Sequence, residues 1–313
     1  NMCSLFGLID FKECLSTHTK NKILNTLARE CQVRGTDATG IAYNFNDRLR
    51  IYKRPLPARK MKIHISNGVN AVMGHTRMTT QGNAQFNQNN HPFLGKVAGN
   101  SFALAHNGVL WNDKELRMEE NLPMTSVETD SYVAVQLLEK NNALDFDSLQ
   151  TMAEKVEGSF VFTVLDRDDS IWFVVGDNPL CVMLYDGFLI YASTQEILCK
   201  ALKKLRLKAP TDILEPQEGE IMKINRNGRI TTGAFTPHTT FERWWRKYPF
   251  YQSYYEDTPT NYDDLFSVAK SFGVTADEVQ ALLDYGCSEE EIEEMLYDPE
   301  LFHEMTGELL YAY

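Results

Sequence analysis

The residues able to do chemistry in this 313-residue chain fall in four places. Cys3 stands near the start. Gly74-His75-Thr76-Arg77, Ala105-His106-Asn107-Gly108 and Glu128-Thr129-Asp130-Ser131 follow far downstream. A cysteine at a chain terminus carries a primary amine one bond from its own Cα, and that amine can serve as the general base for its thiol. The α-amine titrates at about 7.7–8.0, and the thiol is nearer to ionisation than a serine hydroxyl. Methionine is normally removed ahead of a small residue, so loss of Met2 is expected to expose Cys3. Asn1 cannot precede a natural initiator and reads as a remnant ahead of the natural start. The other clusters offer a planar guanidinium suited to a carboxylate (Arg77) and an acidic clamp for an ammonium (Asp130). Asn107 and Gly108 offer an oxyanion hole from a side-chain amide and a backbone N–H. His106 could act as a base, but a terminal amine makes it redundant, and it reads as structural. The set fits cleavage of an amide on an amino-acid side chain.

Composition narrows the class. Hydrophobic residues make up 43% and charged residues 24%, as in ordinary globular chains. No apolar run approaches the roughly 20 residues that span a bilayer. The opening apolar stretch is too short for a signal peptide and has no basic flank. A cytoplasmic protein with no membrane partner is expected. The six cysteines show no C-x-x-C spacing and the seven histidines no H-E-x-x-H. No phosphate-cradling glycine loop stands at a strand-to-helix junction. No metal and no cofactor are therefore expected. Residues 256–313 hold 16 acids and one base, Lys270, a net charge of −15, so the remainder of the −12 chain carries +3. That imbalance argues against a nucleic-acid partner for the tail.

The elements that must position these groups alternate along residues 3 to about 235. Apolar alternation and turn residues predict strands at 5–9, 40–43, 49–53, 71–75, 101–105, 159–166, 171–176, 182–185, 188–192, 220–224 and 229–232. Helical spacing predicts helices at 20–33, 130–140, 149–156 and 196–205. So many antiparallel hairpins with helices between them indicate layered sheets flanked by helices. Residues 236–258 crowd aromatics with prolines, as a connector packed on something rather than a free linker. Residues 259–313 predict a small acidic helical extension, with capping boxes at Thr275–Glu278 and Ser288–Glu291 and a stop at Gly286.

The motifs carry a resemblance. Met-Cys-Ser-Leu-Phe-Gly resembles the M-C-G-[IL]-[FV]-G start of class II glutamine amidotransferases, a branch of the N-terminal-nucleophile hydrolases. Residues 34–42, RGTDATGIA, are similar to R-G-x-D-[SA]-x-G-[IL]-A, and 74–82, GHTRMTTQG, to G-H-T-R-W-A-T-H-G. Asn90-His91-Pro92, residues 105–112 and Thr129-Asp130-Ser131 are similar to N-x-H-P, H-N-G-x-[IL]-x-N and S-D-[ST]; Gly176-Asp177-Asn178-Pro179-Leu180 and Glu218-Gly219-Glu220 fit later segments. The matches run in order over residues 3 to about 225. Ser4 stands for the usual glycine, Met78 for tryptophan, Gln81 for histidine and Tyr132 for glutamate.

The resemblance implies an α+β fold, a four-layer αββα sandwich over residues 3–235, with the connector and helical extension beyond it. It implies catalysis by Cys3, Asn107 and Gly108. Arg77, Met78, Thr80, Gln81 and Asp130 would bind the substrate, with Arg34 in support. Glutamine would yield glutamate and ammonia through a thioester. The residues after the sandwich are too few for the synthetase domains of well-known relatives. The ammonia would then serve a separate synthetase subunit, or the chain would act alone; a homo-oligomer is left open. Two other readings stand beside this one: hydrolysis of another γ-glutamyl amide, motivated by Met78 and Gln81, and a non-catalytic scaffold that binds partners through its acidic tail.

Overall fold

A computed structural model describes residues 3–238, 263–297 and 299–310. The chain divides after Pro237 into two compact units.

In the first unit, strand alternation builds two antiparallel sheets. The first orders its strands as β11 (Asp212–Leu214), β9 (Cys181–Leu184), β10 (Leu189–Ala192), β1 (Ser4–Ile9), β4 (Ala71–Arg77), β2 (Ala38–Phe45) and β3 (Arg48–Arg54). The second orders β13 (Ile230–Ala234), β12 (Glu220–Ile224), β8 (Ile171–Val175), β7 (Gly158–Leu165), β6 (Asn100–Leu110) and β5 (Phe93–Val97). In a strand, alternate side chains point to opposite faces. Leu5 and Ile9 of β1, Ala103 and Ala105 of β6 and Val161 and Leu165 of β7 meet between the sheets. Phe6 and Leu8 of β1 face the other way, onto α1 (Thr17–Cys31) and α5 (Gln195–Leu205). Phe162 and Val164 of β7 face α3 (Tyr132–Asn141) and α4 (Phe146–Ala153). A short helix, α2 (Asp113–Glu119), follows β6. The order helix, sheet, sheet, helix is the αββα sandwich that the motifs imply.

The second unit holds four helices among its described residues: α6 (Asp263–Ser271), α7 (Ala276–Tyr285), α8 (Glu289–Leu296) and α9 (Pro299–Leu310). Leu265, Val279, Leu282, Ile292, Met295 and Phe302 form its core. Both expected capping boxes are present: Thr275 with Glu278, and Ser288 with Glu291. Gly286 ends α7 in the left-handed region. Of the aromatic connector expected at 236–258, only residues 236–238 fall among those described. No helix among the described residues is long and apolar enough to cross a membrane.

β1 is anchored at its far end by a buried ion pair. Asp10 is fully buried, and its carboxylate accepts from the backbone N–H groups of Cys14 and Leu15 at 2.9 and 3.1 Å and lies 2.9 Å from Lys20 Nζ. Removing one partner of such a pair strands the other charge in the interior. Lys20→Met is expected to lose about 3–5 kcal/mol of stability, read as a lower urea midpoint at unchanged m-value.

Candidate active site

The site grows out of three strands on the faces that meet between the sheets. β1 and β4 pair antiparallel with Ser4 opposite Thr76 and Leu5 opposite His75. Continuing that register by one residue sets Cys3 opposite Arg77. In β6, Asn107 continues the series of Ala103 and Ala105 on the inner face. His75 then ties the two sheets together, its Nε2 lying 2.9 Å from the backbone oxygen of His106. Burial pushes the His75 imidazole down to about 3, so it is neutral and donates a single N–H to that carbonyl.

Cys3 is buried, 7% exposed. Its Sγ lies 3.3 Å from the Met78 carbonyl oxygen and 3.4 Å from the Met78 N–H. Burial pushes its thiol up to about 11; the Met78 backbone contact and the charges of Arg77 and Arg34 pull the other way, while Asp130 adds to the rise. Desolvation wins, so the group is a thiol near neutral pH. Arg34 donates from Nε to the Cys3 carbonyl at 3.1 Å. Its neighbour Gly35 is needed for close approach: a Cβ there would lie 2.4 Å from the Arg77 carbonyl carbon and 2.6 Å from the Met78 nitrogen. Asp37 completes the cradle, donating its N–H to the Arg77 carbonyl (3.0 Å) and accepting from the Thr79 N–H (2.8 Å).

Arg77 is buried. Its Nη1 donates to Asn90 Oδ1 at 2.7 Å, and its Nη2 to the carbonyls of Gln81 and Gly82 at 2.5 and 3.2 Å. A guanidinium has five N–H donors, so two remain for another acceptor. No carboxylate lies within ion-pair distance of it among the described residues. An Arg buried for purely structural reasons would be expected to have one.

Asp130 is buried too, and it does not cap α3 with its side chain. Ser131 occupies the N-cap position, with no side-chain cap bond. The Asp130 carboxylate instead accepts the Leu110 N–H at 2.7 Å and the Ser131 hydroxyl at 3.2 Å. That hydroxyl also meets His106 Nδ1 at 2.7 Å. Burial lowers the His106 pKa, and Asp130 opposes that shift. Met78 and Gln81 are half-buried and Thr80 is exposed. The Gln81 amide donates to the Glu128 carbonyl at 3.0 Å and to Asp113 at 3.3 Å.

Asn107 is the least satisfied residue of the group. It is fully buried, and neither its Oδ1 nor its Nδ2 has a hydrogen-bond partner among the described residues. A buried amide without partners costs about 1–3 kcal/mol, so its retention points to a ligand. Its backbone is held by Asn178, whose Nδ2 donates to the Asn107 carbonyl at 3.2 Å. Gly108 has φ +144°, and a Cβ there would lie 1.9 Å from the Ser159 carbonyl oxygen. Only glycine fits. No group of three or more His, Cys, Asp or Glu among the described residues is arranged to hold a metal.

Sequence reasoning named Cys3, Arg34, Arg77, Asn107, Gly108 and Asp130. It assigned no part to Asn90, Asp37 or Asn178, which hold the named residues in place. All three sit inside quoted motifs, but nothing in the spacing says which distant atom each one meets.

Comparison with known proteins now gives the class. The family described as "Glutamine amidotransferase domain" matches residues 75–200. Glutamine–fructose-6-phosphate aminotransferase (isomerizing) of Staphylococcus epidermidis is 30% identical over 201 residues, 61% of this chain and 32% of that protein. The same-named protein of Sulfurisphaera tokodaii is 29% identical over 247 residues, covering 73% and 41%. Among solved structures, the glutamine phosphoribosylpyrophosphate amidotransferase from B. subtilis, complexed with ADP and GMP, superposes with a TM-score of 0.58 at 21% identity, over 87% of this chain and 57% of that one. Residues 75–200 thus match a glutamine amidotransferase domain, and the sandwich has the fold of the solved phosphoribosylpyrophosphate amidotransferase. The chain spans about a third of the length of the Staphylococcus relative.

The orphaned amide makes a stability prediction. Asn107→Ala removes two unpartnered polar atoms from the interior, and its thermal midpoint is expected to equal or exceed that of the parent chain. A clear fall in a melting scan would contradict the reading of Asn107 as unsatisfied.

Proposed function

We propose that the chain hydrolyses the side-chain amide of glutamine to glutamate and ammonia through a thioester on Cys3. The observation that carries this is the unpartnered Asn107 amide on a strand tied through His75 to β4, the strand that pairs with β1 behind Cys3. Arg77, with two donors left, would take the α-carboxylate, and Asp130 the α-ammonium. Met78, Thr80 and Gln81 would border the bound molecule, and Arg34 would steady the Cys3 backbone.

With residue 2 removed, the Cys3 amine takes the thiol proton as Sγ attacks the γ-carbonyl carbon. The oxyanion receives hydrogen bonds from Asn107 Nδ2 and the Gly108 N–H. The C–N bond breaks as the ammonium returns its proton to the leaving nitrogen, which departs as ammonia. Water then attacks the thioester carbon. Its proton passes through the amine to Sγ, and glutamate leaves. A thiol held near 11 needs such a base, because little thiolate is present at neutral pH.

The relatives named above are an aminotransferase and an amidotransferase that use glutamine by name. This supports glutamine as the nitrogen donor here. The ammonia would pass to a separate synthetase partner or be released. The cytoplasm is the expected compartment.

Activity and labelling measurements test this. A chain with Cys3 verified as its first residue by mass spectrometry is expected to release ammonia from glutamine. The same chain with Cys3→Ala should release none, and Asn107→Ala should lose about 10²–10³ in kcat. A chain fully capped by Met2 is expected to be inactive, and measurable turnover by it would refute the terminal amine as base. Higher turnover of another γ-glutamyl amide in a substrate panel would replace glutamine with that amide. In the capped chain, iodoacetamide labelling of Cys3 should rise about tenfold per pH unit up to about pH 11, following its thiolate fraction.

A further inference from the structure

Lys53 lies on β3, a strand whose other charged side chains are exposed. It is half-buried, and its Nζ donates to the backbone carbonyls of Asn90 and Pro92 at 2.5 and 3.0 Å. The ammonium also sits over the Phe93 ring, 5.0 Å from its centroid. No carboxylate pairs with it among the described residues. Burial brings the Lys53 pKa down to about 8, and the charge of Arg77 adds to that shift.

The segment it grips is the one that holds Arg77. Asn90 is fully buried. Its Nδ2 donates to the Ala84 carbonyl at 2.7 Å, which fixes which end of the amide faces Arg77 Nη1. A second tie runs back to β3, where Asn87 Nδ2 donates to the Lys53 carbonyl at 3.0 Å. A chain of contacts therefore runs from Lys53 Nζ through the Asn90 backbone and side chain to the guanidinium.

We infer that Lys53 is a positioning residue for Arg77: it fixes Asn90, and its positive charge helps draw the substrate carboxylate to the guanidinium. A contact selected for stability alone would not leave a half-buried cation to act on a buried one without a counter-ion. An anion bound near the two charges resolves the conflict. The inference rests on the reading of Arg77 as the carboxylate holder.

The test uses the full chain with Cys3 exposed, and compares glutamine with 4-aminobutanamide, the same amide lacking the α-carboxylate. Lys53→Met is expected to raise KM for glutamine about tenfold with kcat within about twofold. Its kcat/KM for 4-aminobutanamide should match the parent, because that molecule has nothing for Arg77 to hold. Lys53→Arg should recover most of the glutamine KM. Lys53→Gln, read the same way, keeps the test open if the methionine variant does not fold. Unchanged KM for glutamine in a folded Lys53→Met or Lys53→Gln variant overturns the role of Lys53 and leaves the glutaminase reading standing. Equal losses on both amides, with a lowered melting temperature, overturn it as well by assigning Lys53 to stability alone. A parent chain that turns over no glutamine refutes the proposed function, and this inference with it.

Discussion

The antiparallel pairing of β1 with β4 is the constraint on which the site depends. Its register sets the residue before β1 opposite the last residue of β4, which makes Cys3 and Arg77 cross-strand neighbours. A slip of one residue would turn every side chain of β1 to the other face. The apolar pattern forbids that slip, because Phe6 and Leu8 would leave the helix-side core while Leu5 and Ile9 left the core between the sheets. The packing that stabilises the sandwich therefore also places Cys3 beside Arg77. The ion pair of Asp10 and Lys20 secures the opposite end of the same strand.

Around that pair the interior carries positive charge. Arg77 and Lys53 bring positive charge into a region where His75, His91 and His106 are all pushed by burial towards their neutral forms. The neutral histidines fill space and bridge elements without adding charge. His91 sits between His75 and Phe93, its ring tilted against both, with centroids 4.2 and 4.4 Å away. The charges acting there are those of Arg77, Arg34 and Lys53 set against Asp130.

Much of this was legible in the sequence, and the failures have local causes. β1, β7 and β8 are nearly continuous apolar runs bounded by turn residues, and were expected close to where they lie. β5 went unrecognised because five residues with two exposed positions, Leu94 and Lys96, carry too little pattern. α2 was missed because its seven residues are mostly polar. α1 was expected from residue 20 but begins at Thr17, where Ser16 caps a polar first turn that hydrophobic periodicity does not register. α4 was expected at 149–156 and spans Phe146–Ala153, because its capping box pairs Asp145 with Ser148 rather than with Glu or Gln. Within the site, Cys3, Arg77, Asn107 and Gly108 announced themselves through residue type and motif. The contacts of Asp130 could not be read, because its carboxylate accepts the Leu110 N–H at the end of β6. A partner 20 residues away leaves no mark in local spacing.

The enclosure of Cys3 has a consequence beyond turnover. Peroxides and electrophiles react with thiolate rather than thiol, and oxidation follows thiolate character and exposure. Cys3 is buried, and burial pushes its thiol up to about 11, so it offers little of either. The same desolvation that holds Cys3 as a thiol also shelters its sulfur from oxidants, so protonation and chemical durability are two outcomes of one buried position.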